Sequence, residues 1–240
     1  MIAWTDCRLI AFDTETTGLA FYDGDRIIEF GAVELTVQPD LTVSRVKHHQ
    51  FMINPERDIP REATAVSGIT NEDVAKAPTF ARVAHEIHAL LGNAILVAHN
   101  FGFDLGFIRS EFDRVGLHWP QTRAEIDTLT LARRLMTHLR SRRLEVVAKE
   151  LSVSLDNAHR ACDDAEACGR VFVEIAKRYG APESLEDLIP WAIAVGPPPP
   201  SEYVAILNQG APEFTQGPHQ GKTVESQPDY LQWMTMAKTL

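Results

Sequence analysis

The sequence predicts an α/β fold built on a sheet of mixed direction, and two observations carry that prediction. Three β-rich segments follow one another near the start, and from residue 79 onward helical and strand-like segments alternate. A third observation sets the scale: 240 residues that are 45% hydrophobic suffice for one full core with an appendage.

The first strand is the short apolar run Arg8 to Phe12, followed by Arg26 to Val37 and Ser44 to Ile53. Asp23-Gly24-Asp25 and Gln38-Pro39-Asp40 supply the turns between them, so the three should form an antiparallel meander. Thr79 to Leu91 carries apolar residues at helical spacing, and Gly92-Asn93 stops it before the apolar strand Ala94 to Ala98. Helix followed by strand implies a crossover onto the same sheet. Further amphipathic helices are expected at Phe103 to Val115, Thr128 to Met136, Arg143 to Leu151 and His159 to Tyr179.

After Gly180 the character changes, and Gly196 followed by Pro197 to Pro200 reads as a stiff extended spacer. The expected organisation is a catalytic domain over 1–182, a helix and Pro-rich linker over 183–200, and a small element over 201–240 that binds a partner or DNA. In that tail, Gly217, Gly221 and Lys222 lack the spacing of a phosphate-cradling loop, and Tyr230, Leu231 and Trp233 suggest a small apolar cluster or a grip on a partner.

The net charge of −10 argues against a general basic field for holding polyanions. A nucleic-acid substrate would therefore need cations and a local Arg cluster to correct the field. Arg133, Arg134, Arg140, Arg142 and Arg143 form such a cluster, which either guides a phosphate backbone or is a solvated helix end. Three cysteines without a CxxC pair give no disulfide framework and read as free thiols of a reducing cytoplasm. No window approaches the roughly 18 uninterrupted apolar residues of a membrane span, so no membrane association is expected.

Chemistry concentrates in three places. In FDTETTG (12–18), strand alternation sends Asp13 and Glu15 to the same side, where two carboxylates repel unless a cation lies between them. Taken alone, the triplet reads more simply as a turn residue and a solvated charge. In HNFGFD (99–104), Asp104 lies just inside a helix, where it could simply favour the helix dipole. In HRACDDA (159–165), a His and an Asp lie five apart at the start of the last long helix, and a lone His there is often a cap. Three unrelated explanations for three acidic sites are less economical than one cluster holding metal ions with His159 beside it. Asp127, followed by Thr128 at a helix start, reads as a cap.

These three motifs resemble, in order and spacing, those of the DEDDh (DnaQ-like) 3'-to-5' exonuclease family. GDRIIEFGAVE, VSGITNEDVAKAPTF, LVAHNFGFDLGFIRSEF and IDTLTLARRL extend the likeness, towards the proofreading epsilon subunit of bacterial DNA polymerase III, over roughly residues 6–178. The tail is similar to the short module that follows the nuclease domain of exodeoxyribonuclease X. The resemblance implies a ribonuclease H-like fold with a mixed five-stranded sheet flanked by helices. It further implies two divalent ions, Mg²⁺ or Mn²⁺, held by Asp13, Glu15, Asp104 and Asp164, with His159 as general base. Asp164 is preferred to Asp163 because the last acid of the family stands five after the His and before a small residue, here Ala165.

Thr14, Thr16, Leu19, Asn100 and Phe103 are the substrate contacts that the resemblance suggests, although Thr17-Gly18-Leu19 could equally be a turn with Leu19 packed inward. The chain departs from the pattern at Ser67, where many relatives carry His, and at Phe101-Gly102, where small residues are more usual. The implied activity is cytoplasmic removal of nucleotides from the 3' end of single-stranded DNA, in proofreading beside a polymerase subunit or in repair. A 3'-to-5' exoribonuclease of the ribonuclease T or oligoribonuclease type is the enzymatic alternative, since nothing in the sequence reads the 2'-hydroxyl. An inactive nucleic-acid-binding scaffold is the alternative of another class.

Overall fold

The computed structural model describes residues 1–155, 159–193, 204–205 and 213–214. The chain divides into two compact units, Met1–Ala194 and Val195–Leu240.

The first unit is built on a five-stranded sheet in the order β3-β2-β1-β4-β5. β1 (Leu9–Thr16), β2 (Ile27–Val37) and β3 (Val43–Met52) form the antiparallel meander. β4 (Ile95–Ala98) and β5 (Ala124–Asp127) continue the sheet in parallel to β1, each after a helical crossover. β1 runs four residues beyond the apolar stretch seen in the sequence, carrying Asp13 and Glu15 out to its end.

Strand alternation divides the core. Leu9, Ala11, Val33 and Leu35 face one side, where α5 (Thr128–Leu135), α6 (Leu144–Glu150) and α7 (Ala161–Tyr179) pack. Ile10, Phe12, Phe30 and Ala32 face the other, against α3 (Phe80–Leu91) and α4 (Phe101–Arg114). By that alternation the odd-numbered Asp13, Glu15, Glu29 and Gly31 belong to the α7 side. α7 lies close on the sheet because a glycine stands on each side of the contact: a Cβ on Gly31 of β2 would come 2.2 Å from the Ala161 carbonyl carbon, and one on Gly169 of α7 would come 2.5 Å from Leu35.

Two short helices, α1 (Arg61–Ser67) and α2 (Asn71–Val74), were not visible as periodic segments. α2 is fixed by a reciprocal cap, in which Thr70 and Asp73 exchange side-chain to backbone hydrogen bonds.

The first unit runs past residue 182, where the sequence placed its boundary. α8 (Leu185–Ile193), the helix expected between the catalytic domain and the Pro-rich spacer, buries Leu188 in the α7-side core. Its start is tied to the N-terminus, with the Trp4 amide donating to Glu183 and the Leu185 amide donating to Ile2. Among the described residues no helix is long and apolar enough to cross a membrane. The described part of the second unit is a short antiparallel ladder, β6 (Val204–Ala205) with β7 (Glu213–Phe214). The Pro-rich spacer and most of the tail singled out in the sequence lie outside the described residues.

Candidate active site

Three elements deliver acids to one end of the sheet. β1 and β4 are parallel, so their C-terminal ends emerge together: Asp13 and Glu15 stand on one, and the His99-Asn100 loop that opens α4 follows the other. α7 contributes its first turn, with Asp164. Ligand oxygens of Asp13, Glu15 and Asp164 all lie within 4.8 Å of one another. Asp163, one residue away, is not in that group.

Asp104 enters from α4 and stands beside the trio rather than within it. Its Oδ1 accepts from the Thr14 amide at 2.9 Å and from the Thr14 hydroxyl at 2.7 Å. Thr14, expected among the substrate contacts, thus has its hydroxyl committed to orienting Asp104.

The electrostatics are those of crowded, uncompensated anions. Burial, then the charges of Asp104, Asp164, Glu15 and Glu29, push the Asp13 carboxyl well above the ordinary range. Glu15 is raised to about 7 by burial and by Asp164, Glu29 and Asp104, with Arg160 opposing. Burial raises Asp104 to about 7 although the Thr14 hydrogen bonds pull it down. Burial also raises Asp164, against the amides of His159 and Arg160. Among the described residues no Lys or Arg forms an ion pair with any of the four. Oxygen-only donors, partly buried and without counter-charge, suit a hard divalent cation such as Mg²⁺ or Mn²⁺.

His159 does not belong to the helix, as the sequence suggested. It precedes α7 with φ of 70°, a left-handed conformation that costs a residue with a Cβ roughly 1–2 kcal/mol. Its amide and that of Arg160 both donate to Asp164 Oδ2, at 2.7 and 3.1 Å. The side chain is 54% exposed, with Nε2 4.0 Å from Glu145. The site's other helix is reached in a similar way: Asn100, with φ of 74°, precedes α4 and donates its amide to Asp127. Asp127 is a helix cap, as read from the sequence, bonded to the Leu129 amide and the Thr130 hydroxyl as well.

Of the remaining expected contacts, Leu19 is 81% exposed, which overturns its inward-packed alternative. The loop beneath it is tied by Asp25, which accepts from the Thr17 hydroxyl and the Ala20 amide. The Thr16 hydroxyl donates to the Gly18 carbonyl. Phe103 lies half-buried against Phe107, with ring centroids 5.0 Å apart. The Arg-rich connection between α5 and α6 flanks the site, since the Arg142 carbonyl meets His99 Nε2 at 2.8 Å. Arg140 and Arg143 are exposed, whereas Arg134 donates to the Trp191 carbonyl.

Reading the sequence missed Glu29. Fully buried in β2, it pairs with Arg160 at 2.9 Å and accepts from the Ala161 amide. Burial pushes its carboxyl up, but hydrogen bonds from Arg160, Gln50 and Ala161 hold it below the usual range. The available signal was an acid inside the apolar run IIEFGAV on the face that alternation turns inward.

A cluster of carboxylates with a neighbouring histidine, at the strand ends of a mixed sheet, is a site that could hold a metal ion, and the family the chain matches is one of nucleases. The exonuclease family known as RNase T matches residues 10–172, and the chain belongs to that family, of DnaQ type. It is 35% identical over 175 residues to the DNA polymerase III epsilon subunit of Rickettsia prowazekii, covering 70% of this chain and 73% of that one. It is 34% identical over 171 residues to the 3'-5' exonuclease DinG of Bacillus subtilis, covering 71% of this chain but only 18% of that much longer protein. Among solved structures, exonuclease X in complex with 5' overhanging duplex DNA is similar with a TM-score of 0.55 at 26% identity, over 75% of this chain and 97% of that one. E. coli exonuclease I in complex with a dT13 oligonucleotide shares the ribonuclease H-like fold, with a TM-score of 0.60 at 22% identity over 72% of this chain and 41% of that one.

Proposed function

We propose that this chain is a 3'-to-5' exonuclease that shortens single-stranded DNA by hydrolysis, releasing nucleoside 5'-monophosphates in proofreading or repair. The observation that carries the reading is the group of partly buried carboxylates with which, among the described residues, no Lys or Arg forms an ion pair, in a chain of the exonuclease family. Asp13, Glu15, Asp104 and Asp164 would hold two divalent cations, which polarise the phosphodiester and acidify water when bound. His159, exposed and anchored by its backbone, takes the proton of the attacking water. The water oxygen bonds to phosphorus, the bond from phosphorus to the 3'-oxygen breaks, and that oxygen takes a proton from solvent, so a new 3'-hydroxyl remains for the next cycle.

Exposed Leu19, with Thr16, Asn100 and Phe103 nearby in sequence to the acids, contacts the terminal nucleotide. Arg140 and Arg143 line the approach of the strand and supply the local positive field that a net charge of −10 otherwise denies. DNA is favoured because the epsilon relative is a DNA polymerase subunit and exonuclease X was solved on DNA. The same likeness makes a polymerase subunit the expected partner and the cytoplasm the expected compartment.

The test is digestion of matched 5'-labelled DNA and RNA single strands with Mg²⁺ or Mn²⁺, with EDTA and His159→Ala as controls. Stepwise metal-dependent shortening of DNA, lost in the variant, is the expected result. Preference for RNA would replace DNA by RNA as substrate, and no shortening of either strand would leave only a nucleic-acid-binding scaffold.

A further inference from the structure

His159 is held at its backbone from two sides, by Asp164 of the acidic cluster and, through the next two residues, by Glu29, which lies outside that cluster. Among the described residues, its imidazole forms one ion-pair contact, with Glu145 at 4.0 Å, and half its side-chain surface is open. A ring with so little lateral packing takes its place from the main chain beneath it. That main chain is stitched by three successive amides: those of His159 and Arg160 donate to Asp164 Oδ2, and that of Ala161 donates to Glu29 Oε2.

Glu29 is fully buried on β2, and its other bonds run to the same segment. Arg160 reaches it through Nη2 at 2.9 Å and Nε at 3.3 Å, while Gln50 from β3 occupies the remaining acceptor direction. Two residues further along the same strand, Gly31 leaves room for the first residues of α7. β2 therefore carries a two-part seat: a carboxylate that grips Arg160 and the Ala161 amide, and a glycine that lets the helix start touch the sheet. A left-handed residue such as His159 persists where its surroundings over-determine it, and this seat is what does so.

We propose that Glu29, acting through Arg160 and the Ala161 amide, is a positioning residue that fixes His159 relative to Asp164. The proposal rests on the reading of His159 as the proton acceptor. Glu29 hydrogen-bonds to none of the four acids and reaches Asp13 and Glu15 only through its charge, so it should govern turnover more than substrate or cation affinity. Displacing a reacting group by about 1 Å can cost on the order of a hundredfold in rate, so a fall of at least about tenfold is expected.

The experiment uses the full chain carrying Glu29→Ala, Glu29→Gln or Arg160→Ala, each on the wild-type and on the His159→Ala background. A 3'-labelled single-stranded oligodeoxynucleotide with Mg²⁺ gives kcat, KM and the half-saturating Mg²⁺ concentration. Glu29→Ala should lower kcat at least about tenfold, with KM and half-saturating Mg²⁺ changed less than about twofold. Glu29→Gln, which keeps an acceptor for the Ala161 amide, should recover part of the loss. On the His159→Ala background the same substitutions should leave the residual rate nearly unchanged, because there is no base left to misplace.

Equal losses on both backgrounds would show that Glu29 serves the fold alone and would overturn the proposal. A loss read only in half-saturating Mg²⁺ would do the same, by assigning Glu29 to the cation site. Should Glu29→Ala fail to fold, Arg160→Ala, whose side chain is 45% exposed, makes the same cut from the other end. If the wild type degrades neither DNA nor RNA, the nuclease reading fails by itself. The seat is then judged by amide hydrogen exchange: faster exchange at residues 159–161 in Arg160→Ala upholds it, and unchanged exchange overturns it.

Discussion

Stripping divalent cations should make this protein lose stability as pH rises, the reverse of ordinary acid denaturation. Glu15 has its carboxyl raised from 4.5 to about 7, and Asp104 from 3.8 to about 7. A raised acid holds its proton more tightly folded than unfolded. Its stabilising share is therefore complete below about pH 4 and is lost as pH climbs through about 7. At about 1.4 kcal/mol per pKa unit, Glu15 alone accounts for a loss of about 3 kcal/mol. Asp104 accounts for about 4 kcal/mol by the same conversion. The two repel through the same space, so the combined loss is taken as about 4 kcal/mol rather than as both in full. For a unit of this size each kcal/mol moves the melting temperature by roughly 2–4 °C, giving a fall on the order of 10 °C. Thermal unfolding followed by circular dichroism in EDTA at pH 5, 6, 7 and 8 reads it directly, and saturating Mg²⁺ should flatten the trend by replacing the protons with a cation. The carboxylate of Glu29 has the opposite sign, its stabilisation being lost only as pH falls below about 4.5, outside this window. A chelated melting temperature that stays level or rises from pH 5 to 8 would refute the reasoning, since the acids would then not be crowded.

Gly31→Ala should destabilise the first unit by roughly 1–3 kcal/mol, because the new Cβ meets backbone rather than a movable side chain. Activity should fall with it, read by denaturant unfolding beside the nuclease assay. Arg140→Ala and Arg143→Ala should each reduce the slope of log affinity against log salt by about 0.7 for a single strand, while a dinucleotide too short to reach them is turned over at the wild-type rate. A slope unchanged by either substitution would assign both arginines to bulk solvent.

Much of the site was legible because it obeys period. Asp13 and Glu15 share a face by strand alternation, and Asp127 followed by Thr128 marks a helix start, as the hydrogen bond to the Leu129 amide bears out. What escaped depended on contacts between distant segments. Glu29 lies in an apolar run, and its partner Arg160 is 131 residues away. The start of α7 was set two residues early, because nothing local announces that His159 turns left-handed when its amide goes to Asp164. α1 and α2 are too short to show a period, and the helix expected after residue 182 was set outside the catalytic domain because its burial depends on a core assembled from elsewhere.

Residues 2–4 pair with residues 183–185: Ala3 bridges Ser184, and the flanking amides bond across on either side. The first residues of the chain thus clasp the segment that leads into α8, so fraying at the one would loosen the other although most of the sequence lies between them.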